Sequence, residues 1–149
     1  MTEQLPIFVY GTLRRGFHNY NAYLAGKIRS CYEASTDGVL YEAYKDSFPS
    51  LVEGDRTVKG ELMYIDDFDS SYEDVLRSLD HLEGYRDFNE RDSMYIRRKR
   101  VVRNDVTGIN VEAWVYIWNR EVDENLLIKG GCFKEHRRKR EQEHDWRVQ

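Results

Sequence analysis

Apolar and polar positions along the chain follow several distinct patterns. LPIFVY, residues 5–10, is an unbroken apolar run closed by Gly11, the pattern of a short strand buried on both faces. NYNAYLAGK then places Tyr20, Tyr23 and Leu24 at helical spacing and stops at Gly26, which predicts a short helix. In EASTDGVLYEAY, Asp37-Gly38 lies between two segments of strand formers and predicts a hairpin, and TVKGELMYID reads as another strand. DSFPSLVEGD, between these two, holds Pro49 and Gly54 among small polar residues and reads as a loop. MYIRRKRVVRNDVTGINVEAWVYIWN predicts two long strands around a turn at NDVTG. In the second, Val111, Ala113, Val115 and Ile117 alternate with Trp114, Tyr116 and Trp118, so both faces are apolar and the strand is expected to be central.

The best-defined helix is DSSYEDVLRSLDHLEGY. Ser70 or Ser71 can cap its start, Glu73 completes a capping box with Ser70, and Gly84 is placed to end it. Tyr72, Val75, Leu76, Leu79 and Leu82 form one apolar stripe. Glu83 is four residues beyond Leu79 and seven beyond Leu76, so it projects within that stripe, while His81 points away. Burial of an ionised carboxylate is unfavourable by several kcal/mol or more, and the negative end of the helix dipole adds roughly a few tenths. Both effects raise the proton affinity of Glu83, which suits a group that takes up a proton and returns it near neutral pH. The alternative is that the last turn unwinds and Glu83 reaches water or pairs with Arg86.

From Lys134 onward, KEHRRKREQEHDWRVQ is mixed in charge without apolar periodicity, as expected of a solvated helix or frayed tail. The chain therefore reads as one domain, residues 1–133, followed by a charged tail or helix, residues 134–149. Its 149 residues suffice for a single core, and a composition 40% hydrophobic and 13% aromatic argues against disorder. Acidic residues outnumber basic ones, 27 to 23, so no net positive field favours nucleic acid or an anionic membrane. The basic runs at 97–100 and 136–140 are flanked by acids and read as solvated faces. The start of the chain shows no secretory pattern, and no apolar run approaches the roughly twenty residues of a spanning helix. Cys31 and Cys132 have neither disulfide-framework nor zinc spacing and read as small packing residues. A cytoplasmic location fits these features.

In YGTLRRG, Gly11 permits backbone angles closed to other residues and lets a ligand approach the main chain. Successive amides there can converge on a carboxylate or phosphate, with Arg14 and Arg15 adding charge. An ordinary turn with solvated arginines is the alternative. No nucleotide-binding glycine motif, serine-hydrolase elbow or His-Glu-x-x-His motif is present. Tyr95 and Tyr116 lie in buried-looking strands, where their hydroxyls need partners, as pocket walls or as core.

YGTLRRG after an amino-terminal strand, LDHLEGY ending a helix, and the strands MYIRRKRVV and VEAWVYIW together resemble the gamma-glutamyl cyclotransferase-like family, over about residues 6–120. The resemblance implies an α+β fold, a mixed, strongly curved sheet or partial β-barrel flanked by a few helices. It also implies substrate binding by Tyr10, Gly11, Thr12 and Leu13, with Tyr95 and Tyr116 as further pocket residues and Glu83 as the catalytic acid and base. The implied reaction releases 5-oxoproline from a γ-glutamyl small molecule without cofactor or metal. Two rivals are a non-catalytic metabolite-binding protein of the same fold and an interaction module that uses the charged tail.

Overall fold

The computed structural model describes residues 4–44, 48–66 and 71–148. Five strands, β1 (Ile7–Val9), β2 (Ile28–Tyr44), β3 (Phe48–Ile65), β4 (Tyr95–Asn104) and β5 (Asn110–Trp118), close into a barrel in the order β1-β3-β2-β4-β5. Contacts between β1 and β5 are parallel and the remaining pairs antiparallel, so the sheet is mixed. Three α-helices accompany it: α1 (His18–Tyr23), α2 (Tyr72–Glu83) and α3 (Phe133–Val148). The α+β class and the curved, barrel-like sheet expected above are thus present, with the barrel closed.

β1 is buried on both faces, as its unbroken apolar run requires. Ile7 and Val9 join the α2 stripe, Met63, Tyr95 and Tyr116 in one cluster, while Phe8 and Tyr10 join Leu40, Leu51, Leu62, Val102 and Val115 in another. β5 runs between β1 and β4, in the central position its two apolar faces predict. The β4–β5 turn falls at NDVTG, where Asn104 Oδ1 accepts the amides of Val106 and Thr107 and Gly108 is left-handed, with φ 77°.

Two expectations are corrected. Asp37-Gly38 is no hairpin: β2 continues through it, and Gly38 is not among the left-handed glycines that a tight two-residue turn requires. Pairing instead jumps from Asp37↔Thr57 to Val39↔Val52, so a bulge in β3 is accommodated opposite Gly38. The stretch 46–55 is no free loop, because β3 starts at Phe48 and Pro49 pairs with Glu42. Only its exposed residues 53–55, which with Arg56 make up the bulge, keep a loop-like character. Residues 46 and 47 lie outside the described residues.

The charged carboxy-terminal segment forms α3. Phe133 is buried against the barrel, and buried Glu42 on β2 accepts from Arg140 at 2.6 Å and meets His136 Nε2 at 2.5 Å. The basic runs carry local counter-charges: Arg97 faces Asp80, Arg98 faces Glu90, Arg100 faces Glu53, and Arg138 faces Glu135. Among the described residues, no helix is long and apolar enough to cross a membrane.

Candidate active site

The chain leaves β1 through Tyr10–Leu13. Bonds from Arg14 N to Gly11 O (3.1 Å), Phe17 N to Arg14 O (3.2 Å) and Tyr20 N to Thr12 O (3.2 Å) shape the turn. These bonds do not use the amides of residues 11–13. Asn19 Nδ2 donates to Thr12 Oγ1 at 2.7 Å and fixes that side chain. Gly11 is not left-handed, which corrects the first of the two reasons expected for a glycine here, its backbone angles. The requirement is close approach: a Cβ at residue 11 would lie 2.7 Å from Pro49 Cγ. The proline ring cannot swing aside, and the Pro49 carbonyl also receives the Tyr95 hydroxyl at 2.7 Å. Gly11→Ala is therefore expected to destabilise the fold by about 1–3 kcal/mol and to weaken ligand binding. Thermal unfolding and a ligand titration of the variant check both effects.

α2 delivers Glu83 to the same place. Ser71 caps the helix by accepting from Asp74 N at 3.1 Å; the Ser70 capping alternative falls outside the described residues. Gly84, with φ 70°, ends it in the left-handed conformation that glycine adopts without strain. Tyr72, Val75, Leu76 and Leu79 are buried, and seating this stripe turns the last helical residue toward the end of β1. There a cavity of about 160 Å³ is lined by Tyr10, Gly11, Thr12, Leu13, Glu83, Tyr95 and Tyr116, all seven residues singled out in the sequence. Asn19, Phe48, Pro49, Leu82 and Met94 complete much of the wall. A dry cavity of roughly 150 Å³ takes up benzene, so one small ring fits this space.

Glu83 is half-buried and makes no hydrogen bond or ion pair with any described residue, Arg86 included. Burial, and secondarily the negative charge of Asp80, push its carboxyl from 4.5 up to about 7. Asp80 lies one helical turn before Glu83 and was not evident from the sequence. It receives Arg97 Nε at 2.8 Å, Arg97 Nη2 at 3.2 Å and the Tyr116 hydroxyl at 2.7 Å. The Arg97 guanidinium stacks over Trp114, 4.3 Å from the ring centre. An acid three residues before Glu83 was the available signal, but only the fold brings Arg97 and Tyr116 to it.

The Tyr10 hydroxyl donates to the Tyr116 carbonyl at 2.6 Å. Burial is the main cause that raises the pKa of Tyr10, Tyr95 and Tyr116, and the Glu83 charge contributes in all three, so these hydroxyls stay protonated.

Arg14 is a second correction at the site. Neither solvated nor directed to a ligand, it is 4% exposed and donates to Glu61 Oε2 at 2.8 Å; Glu61 is itself 1% exposed. Arg15 is an exposed side chain 3.7 Å from Glu61. Cys31 is half-buried beside Glu61, and burial, with that charge second, pushes its thiol up to about 11, as suits a packing residue. Among the described residues no group of three or more His, Cys, Asp or Glu gathers as a metal site.

The chain as a whole is matched by known proteins. The family model described as gamma-glutamyl cyclotransferase, AIG2-like, matches residues 7–147. The chain belongs to this family. A Methanocaldococcus jannaschii protein provisionally named a gamma-glutamylcyclotransferase is 31% identical over 133 residues, covering 88% of this chain and 97% of the relative. The gamma-L-glutamyl-butirosin B gamma-glutamyl cyclotransferase of Niallia circulans is 28% identical over 131 residues, 88% of this chain and 76% of its own. The crystal structure of an uncharacterized Pyrococcus horikoshii protein superposes with a TM-score of 0.62 at 25% identity, covering 94% of this chain and 98% of that one. As a member of the family, the protein is an enzyme of the gamma-glutamyl cyclotransferase type.

Proposed function

We propose that this cyclotransferase closes a γ-glutamyl compound to 5-oxoproline, with Glu83 carrying the proton in both directions. The supporting observation is that Glu83, without a hydrogen-bond or ion-pair partner among the described residues, and the Tyr10–Leu13 turn line one ring-sized cavity. In this scheme the turn amides hold the carboxylate end of the glutamyl group. Glu83 takes a proton from the α-amino group as that nitrogen attacks the γ-carbonyl carbon. The new C–N bond closes the five-membered ring. As the bond to the leaving amine breaks, Glu83 hands the proton to the departing nitrogen, while turn amides stabilise the oxyanion formed in between. Nucleophile and electrophile belong to one molecule, so holding the folded conformer supplies part of the rate enhancement. A group that titrates near 7 can both accept and return the proton at neutral pH.

The test is incubation with γ-glutamyl amines and γ-glutamyl amino acids, with 5-oxoproline as the measured product. Release of 5-oxoproline from any of them supports the reaction, and its absence across the set rejects it in favour of a binding protein. The base form of Glu83 is needed in the free enzyme, so kcat/KM should fall about tenfold per pH unit on the acid side of about 7. A rate that stays flat down to pH 5 would assign the base to another group.

A further inference from the structure

Each tyrosine hydroxyl has one proton to donate, and all three that line the cavity spend it on the protein. Tyr10 gives its proton to the Tyr116 carbonyl, Tyr95 to the Pro49 carbonyl, and Tyr116 to Asp80 Oδ1. Tyr10 also bonds the Leu51 backbone, so it is engaged from both sides. Tyr95 and Tyr116 are left with oxygen lone pairs and nothing further to donate. Glu83, when ionised, also offers only acceptors. Gly11, Thr12 and Leu13 also line the cavity, and the bonds that shape the turn do not use their amides, which leaves those N–H groups as donors for a ligand. The polar lining is therefore divided: donors at the turn, acceptors around Glu83.

We propose that Asp80 is a positioning residue: by taking the Tyr116 proton it keeps Tyr116 an acceptor, so that Glu83, Tyr95 and Tyr116 together present an acceptor-only subsite to the substrate's α-amino nitrogen. This rests on the cyclotransferase reading of the cavity. Asp80 is itself fixed, because Arg97 grips both of its oxygens and lies over the Trp114 ring. The α-carbon of a γ-glutamyl compound carries both matching groups, its carboxylate toward the donors and its nitrogen toward the acceptors. The same division withholds the tyrosines from the oxyanion, which has no proton to offer them, and leaves its stabilisation to the turn.

The subsite can be tested without turnover, by titrating the protein with 5-oxoproline and with the corresponding lactone acid, in which ring oxygen replaces the ring N–H. The unaltered chain is expected to favour 5-oxoproline by about tenfold or more, since the lactone leaves the acceptors unpaired. Tyr116→Phe should reduce that preference several-fold through weaker 5-oxoproline binding alone. Asp80→Leu should do the same, because the freed hydroxyl can turn its proton into the cavity. Asp80→Asn retains an acceptor for Tyr116 and should keep the preference. A preference unchanged in Tyr116→Phe, or both ligands weakened alike, overturns the proposal; if Asp80→Leu fails to fold, the Tyr116→Phe result decides. The two ideas fail separately: release of 5-oxoproline with no N–H preference removes the subsite and leaves the reaction, whereas the preference without release does the reverse.

Discussion

Glu83→Gln is expected to lower kcat by about 10²–10⁴-fold and, at pH 8, to make the protein more stable. Glutamine preserves the shape and polarity of the side chain and removes only its titration. The stability gain follows from linkage. Glu83 has an ordinary value of 4.5 when unfolded and about 7 when folded, so the folded state binds the proton more tightly. Stability is then greatest below pH 4.5 and declines as pH rises toward 7, and the full penalty of an ionised carboxylate remains above that. At its upper limit the penalty is roughly 3 kcal/mol, and glutamine escapes it. Thermal unfolding should show the variant several degrees more stable at pH 8, with the advantage gone near pH 4. Retained turnover would remove Glu83 from the reaction, and a gain independent of pH would mean that its charge is not what destabilises the fold.

That an acid sits where it weakens the fold is also why it could be found in the sequence. A carboxylate within an otherwise apolar stripe breaks the local pattern, and Glu83 breaks it beside a clear glycine stop. Tyr10–Leu13 was legible for a related reason, an apolar strand cut short at Gly11. Pro49 was not, because its role at Gly11 depends on β3 passing under the turn, a contact between residues 38 positions apart. The mistaken hairpin at Asp37-Gly38 has a similar origin: the dipeptide favours a turn, but pairing with β3 on either side carries β2 straight through. Asp80 reads as an ordinary exposed helix residue until the β4–β5 hairpin brings Arg97 and Tyr116 against it. Local pattern showed which residues were out of place; only the tertiary structure shows what they meet.

The largest loss of stability is expected at Glu61→Leu. Glu61 receives Arg14 Nε at 2.8 Å and the Arg15 amide at 3.0 Å, and so ties the segment after the Tyr10–Leu13 turn to β3. Leucine would leave Arg14 buried at 4% exposure with its main partner gone; Glu33, 3.2 Å away, is largely exposed and a poor substitute. An uncompensated buried charge of this kind is unfavourable by about 3–5 kcal/mol, to be read as a lower denaturant midpoint. Arg14→Met combined with Glu61→Leu removes both charges and should regain most of the loss, because an apolar pair of similar volume can replace a buried ion pair at little net cost. The double variant also separates stability from position. Its core is restored, but the Arg15 amide has lost its carboxylate, so the turn is no longer held to β3 at that point. KM should then rise while the midpoint recovers. If both recover together, the ion pair serves only the core, and the turn is positioned by Pro49 and Asn19 without it.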